Sequence, residues 1–129
     1  MEDFVLLFRR PEPAGPQLSQ ADMQAAFKKW DNWFRGIAAQ GKLNNLGIRL
    51  SQEGKVLKPG GIITDGPFVE IRELLNGFIV VKAENMEDAV TLAHGCPILD
   101  INGTVEIRRF LMSEQLQYHL LSGQSPLKP

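Results

Sequence analysis

Hydrophobic positions along this chain change period several times, and each change marks an element. DFVLLFR (Asp3–Arg9) is an unbroken apolar run that stops at RPEPAGPQ, a segment with three prolines and a glycine. It reads as a strand followed by a loop. Met23, Phe27, Trp30, Phe34 and Ile37 then recur at steps of four, three, four and three. That spacing places them on one face of a helix ending near Gly41. Ser19 and Asp22 have capping-box spacing, with the Ser oxygen able to accept the third helical N–H. LNNLGIRL reads as a second strand, and QEG before KVLKP as a hairpin turn into a third. GFIVVKA is a short continuous apolar strand. Asn85 can cap a second helix, MEDAVTLAH, with Asp88 at its third position and Pro97 ending it. TVEIRRF alternates as a last strand, SEQLQYHLL suits one or two terminal helical turns, and GQSPLKP reads as a frayed end. Residues 113–129 form a peripheral C-terminal tail to a single domain spanning 1–129.

The resulting order is β-α-β-β-(turn)-β-α-β, an α+β pattern. Two helices cover only one face of a sheet of four or five strands. Yet FVLLF and GFIVV are apolar at nearly every position, the pattern of strands buried on both faces. The second face needs a layer that no remaining segment supplies. A two-fold homodimer packing sheet on sheet is the simplest expectation, because a bare apolar sheet exceeds the patches monomers tolerate, and the alternative is that the C-terminal turns fold back over that face.

Composition narrows the class without choosing a function. A chain of 129 residues with 43% hydrophobic and 22% charged residues is an ordinary globular domain. A net charge of −1 and a pI near 6.1 give no reason to expect a nucleic-acid or membrane partner. The opening MEDFVLLF carries acids where a secretory signal would carry Lys or Arg, and the apolar runs are too short to span a bilayer. A single Cys fits a reducing compartment. The expected setting is cytoplasmic, with no cofactor and no metal. NGFIVV lacks the basic residue and second aromatic of an RNA-recognition strand, since Asn76 and Val80 occupy those positions.

The stretch ITDGPFVEIRELLNGF holds the densest candidate chemistry. In Asp65-Gly66-Pro67 the residue two places after the aspartate has no N–H, so the usual Asx-turn bond is impossible. The carboxylate either finds a donor further along and holds a tight turn, or is aimed at a ligand. Glu70, Arg72 and Glu73 either form a solvated edge or line a cleft with it. Arg9, Arg49, Arg108 and Arg109 stand at strand ends, where guanidinium can take a carboxylate ligand. His94, near the end of the second helix, lies two residues before Cys96. The chain has no second Cys/His cluster to complete a zinc site, and a free Cys usually behaves as a small buried hydrophobe. Trp33, one position off the helical stripe, is a candidate pocket or dimer rim.

DGPFVEIRELLNGF resembles the signature of the DGPF branch of the YCII-related proteins, with Asp65, Gly66, Pro67, Phe68, Glu70, Arg72, Glu73, Leu75, Gly77 and Phe78 in step. HGCP (His94–Pro97) and GTVEIRRF (Gly103–Phe110) are similar to that family's later motifs. The resemblance implies a ferredoxin-like β-α-β-β-α-β sheet with helices on one face, assembled as a dimeric α/β barrel. It also implies bacterial origin and a link to extracytoplasmic-function sigma factors. Shorter members of the wider family are thought to be enzymes through a His–Asp pair with the His on the first helix. The first helix here has no His. Two functions stay open: a small-molecule-binding or sensing module, and a cofactor-independent enzyme. For the enzyme, Asp65 and His94 are the catalytic candidates; for either, Gly66, Pro67, Phe68, Glu70, Arg72 and Trp33 are the ligand-binding ones.

Overall fold

A computed structural model describes residues 1–11, 18–45, 47–51, 53–66, 73–111 and 121–123, with residues 65, 66, 73 and 74 described through their backbone. Its elements run β1 (Glu2–Pro11), α1 (Gln20–Ala39), β2 (Ile48–Arg49), β3 (Gly54–Lys58), β4 (Ile62–Gly66), β5 (Glu73–Ala83), α2 (Met86–Ala93), a 3-10 turn (Pro97–Ile101) and β6 (Thr104–Arg109). Both expected caps form. Ser19 Oγ accepts from the Asp22 N–H at 3.1 Å, and Asn85 Oδ1 accepts from the Asp88 N–H at 2.8 Å.

Four strands make an antiparallel sheet in the order β2-β5-β1-β6. β5 lies between β1 and β2, and β1 between β5 and β6, so two split β-α-β units interlock in the ferredoxin-like arrangement. The β1–β5 register runs from Glu2↔Ala83 to Pro11↔Glu73 and shifts after Phe8, which opposes Gly77 while Arg9 opposes Leu75. Asn76 is therefore the extra residue of a bulge.

The period-two alternation of β1 sorts its side chains. Phe4, Leu6 and Phe8 are buried on one face with Ile79, Val81 and Ala83 of β5. Ile37 of α1 and Ala89, Leu92 and Ala93 of α2 close over them, so both helices cover the same face. Each fully buried Leu or Ile stabilises the fold by about 1.5–3 kcal/mol. The opposite face carries Val5 and Leu7 of β1, Phe78 and Val80 of β5 and Ile48 of β2, in rows fixed by the pairings Ile48↔Phe78↔Leu7 and Val80↔Val5.

Three expectations are corrected. Met23 and Phe27 are 53% and 72% exposed, and every side chain from Gln20 to Phe27 except Ala26 is exposed. The packed stripe is Trp30, Trp33, Phe34 and Ile37, because Trp30 and Trp33 both set their rings edge-on to Phe8 and rotate the buried arc. Second, LNNLGIRL is not a continuous strand. Leu43 bridges to Val81 and β2 is two residues long. Between them Asn45 Oδ1 accepts from the Gly47 and Val80 N–H groups, both at 3.1 Å, and a side chain replaces the ladder carbonyl there. Gly47 has φ 85°, which turns the chain out of extended geometry.

Third, QEG does not turn a hairpin from the second strand into the third, since β2 pairs with β5 and β3 pairs with β4 in another sheet. Asp65 and Gly66 are strand residues, pairing with Lys55 and Gly54 in a separate two-stranded sheet. Gly60 and Gly61, with φ of 87° and 77°, make the hairpin turn just upstream, and β-branched Ile62, Ile63 and Thr64 extend it as β4.

Candidate functional site

The structure scatters the sequence candidates among three places. Asp65 and Gly66 lie at the end of β4, on the hairpin; Pro67, Phe68, Glu70 and Arg72 lie outside the described residues. Trp33 and His94 come together at the C-terminal end of α2. The Trp33 Nε1–H donates to the Leu92 carbonyl at 2.9 Å, and the ring sits so close to Gly95 that an added Cβ would stand 2.9 Å from its Cδ1. His94 is the exposed C-cap between those two contacts, its N–H donating to the Val90 and Thr91 carbonyls. The indole polar group is thus committed to helix packing, and the imidazole faces solvent.

Cys96 begins the 3-10 turn and belongs to the core. Burial pushes its thiol up to about 12, with Asp100 adding to the rise and a backbone hydrogen bond at Ile98 opposing it. A thiol so raised supplies almost no thiolate at neutral pH. Among the described residues, no three His, Cys, Asp or Glu side chains stand together as a metal-binding group.

The third place was only half visible in one dimension. Arg9 and Arg108 converge on Glu106 on the open face of the sheet. Arg9 Nη2 donates to Glu106 Oε1 at 3.3 Å, and Arg108 Nη1 donates to Oε2 at 3.2 Å. Register explains the meeting: Arg9 opposes Thr104, Leu7 opposes Glu106 and Val5 opposes Arg108, so the two arginines approach the carboxylate from opposite ends of it. The Arg108 bond holds the Glu106 carboxyl below the usual carboxylate range, against a rise from desolvation, with the Arg9 bond and both charges adding to the lowering. Arg109 points elsewhere, pairing with Glu2 at 3.5 Å and lying 5.5 Å from the centre of the Phe4 ring. Sequence reasoning named Arg9 and Arg108 but missed Glu106. The available signal was the alternation Thr104, Glu106, Arg108, which puts all three on one face of a strand.

A family model for the YCII-related domain matches residues 5–112. The chain belongs to the YCII-related family. No curated protein matches it. The match reaches from the second position of β1's apolar run past the end of β6, so it takes in all of the four-stranded sheet except the first three residues of β1, with both helices and the hairpin of this YCII-related domain. Among the described residues no helix is long and apolar enough to cross a membrane.

Proposed function

We propose that this YCII-related domain is a small-molecule-binding or sensing module of bacterial origin, acting as a two-fold dimer packed through the open faces of its sheets. One observation carries the reading: the sheet face away from the helices is an apolar strip, half-buried Val5, Leu7 and Phe78 beside buried Val80 with exposed Ile48 at its edge, that ends in the Arg9–Glu106–Arg108 cluster. An apolar surface with a few converging polar groups is what small-ligand sites share, and a second sheet about 10 Å away would roof it. The buried Cys96 thiol weighs against thiol chemistry. Sensing in this reading feeds a regulatory partner, with the sigma-factor link of DGPF-type proteins as its setting. Proton transfer by Asp65 or His94 is the competing outcome.

The test is a thermal-shift screen of a metabolite library on wild type and Asp65→Asn, with sedimentation of wild type and Val5→Lys alongside. A compound at a hundred times its Kd adds about 2.7 kcal/mol of stability. The module reading expects at least one stabilising compound, unchanged by incubation with the protein, and a dimer that Val5→Lys splits. Turnover of the compound that is lost in Asp65→Asn would transfer the case to the enzyme. Silence across the library would sink both.

A further inference from the structure

The β6 side of the open sheet face holds more positive than negative charge at one point. Among the described residues Glu106 is the single carboxylate between these two guanidinium groups, and it gives one oxygen to each. A guanidinium has five N–H donors and binds best when two of them meet one carboxylate side by side. Each arginine here has one such bond to Glu106, and Arg108 is 69% exposed at its side chain. Immediately next to the cluster, across β1, stand Leu7, the direct partner of Glu106, and Phe78, the partner of Leu7. Charge surplus and apolar strip therefore adjoin on one side of one sheet.

We propose that this corner is a binding site for a small amphipathic monocarboxylate, its carboxylate taken by Arg9 and Arg108 and its apolar body lying along Leu7 and Phe78. The proposal deepens the binding-module reading and rests on it, by naming the ligand class. Glu106 has a defined part: it competes for both guanidiniums while neutralising only one of their charges. A ligand carboxylate supplies the second negative charge, and the apolar row removes the rest of the molecule from water. A neutral analogue of the same length gains only the second contribution.

Hexanoate, with hexanol as its neutral counterpart, is the probe, titrated by calorimetry into the full chain. Wild type binds hexanoate about tenfold or more tightly than hexanol, the margin of one charged hydrogen bond. Raising the salt narrows that margin, since the site is partly exposed. Arg108→Gln, on an exposed side chain, abolishes the preference, whereas Glu106→Gln strengthens hexanoate binding by removing the competing carboxylate. The opposite signs of these two variants are what a general loss of folding cannot produce. Equal binding of hexanoate and hexanol, or indifference to both variants, overturns the site. A library compound that requires Asp65 but ignores Arg108→Gln also overturns it, while leaving the module reading intact.

Discussion

Two antiparallel pairs in this molecule use similar residues and meet different fates. β1 and β5 bring Phe4, Leu6, Phe8, Ile79 and Val81 together under two helices, all of them buried. β3 and β4 bring Leu57 opposite Ile63, and those side chains are 71% and 61% exposed. Apolar, β-branched sequence is common to both. What differs is the supply of a covering layer: α1 and α2 lie over the first pair, while the described residues place none over the Leu57–Ile63 pair. Strand pairing alone therefore does not make a core here, and stability should be concentrated where the helices lie. Phe8 is the sharpest probe of that claim, since Trp30 and Trp33 stand edge-on to its ring at 5.2 and 5.7 Å. Phe8→Ala should cost about 3–5 kcal/mol, the range for deleting a buried aromatic. Urea denaturation reads it directly. A loss under 1 kcal/mol would mean the aromatic cluster collapses without penalty and the comparison fails.

Electrostatics sharpens the same contrast with a smaller effect. Lys42, just after α1, donates to both oxygens of Asp88 in α2, at 3.1 and 3.0 Å, and the Glu84 N–H donates to Asp88 at 3.0 Å. The backbone bond first and then Lys42 hold the Asp88 carboxyl below its ordinary value. A group whose folded pKa is depressed stabilises the fold above its unfolded pKa and loses that contribution as pH falls through the folded one. Glu106 behaves alike. Stability should accordingly be flat near neutrality and decline below about pH 4–5, where carboxylates in the unfolded chain begin to take up protons. Asp88→Asn should be less stable at pH 7 and show a shallower decline in acid. The urea midpoint across pH 3 to 7 measures both; an unchanged slope in Asp88→Asn would show that the pair contributes nothing.

Most of the architecture could be read before any coordinates. Local signals decide β1, β5 and both helix caps, and local signals are visible in one dimension; α2 itself stops at Ala93, and Pro97 opens the 3-10 turn beyond it. The misreadings have a common cause in tertiary contacts. Met23 and Phe27 fit the helical period as well as Trp30 does, but periodicity cannot say how far the surface beneath the helix extends. Asn45 broke a strand because its side chain reached the Val80 N–H, thirty-five residues away. Asp65 and Gly66 close a strand that local signals did not announce, because the turn at Gly60 and Gly61 brings them opposite Lys55 and Gly54. The candidate site was legible in halves. Arg9 and Arg108 could be named, but only the β1–β6 register shows that they share Glu106.

The smallest expected effect is the most informative about assembly. An isolated two-stranded sheet is marginal in water, so the hairpin should contribute little to global stability and exchange its amide protons faster than β1 and β5. Leu57→Thr keeps a strand-compatible residue while removing apolar surface, and so should shift stability by no more than about 0.5 kcal/mol. The same holds for Ile63→Thr, its cross-strand partner. Hydrogen exchange and urea midpoints, taken at two protein concentrations, measure the prediction. A cost near 2 kcal/mol for either variant that grows with concentration would be a burial-sized effect on side chains exposed in the single chain. Their cover would then have to come from another copy, and the contrast between sheet and hairpin would belong to the isolated chain rather than to the molecule in solution.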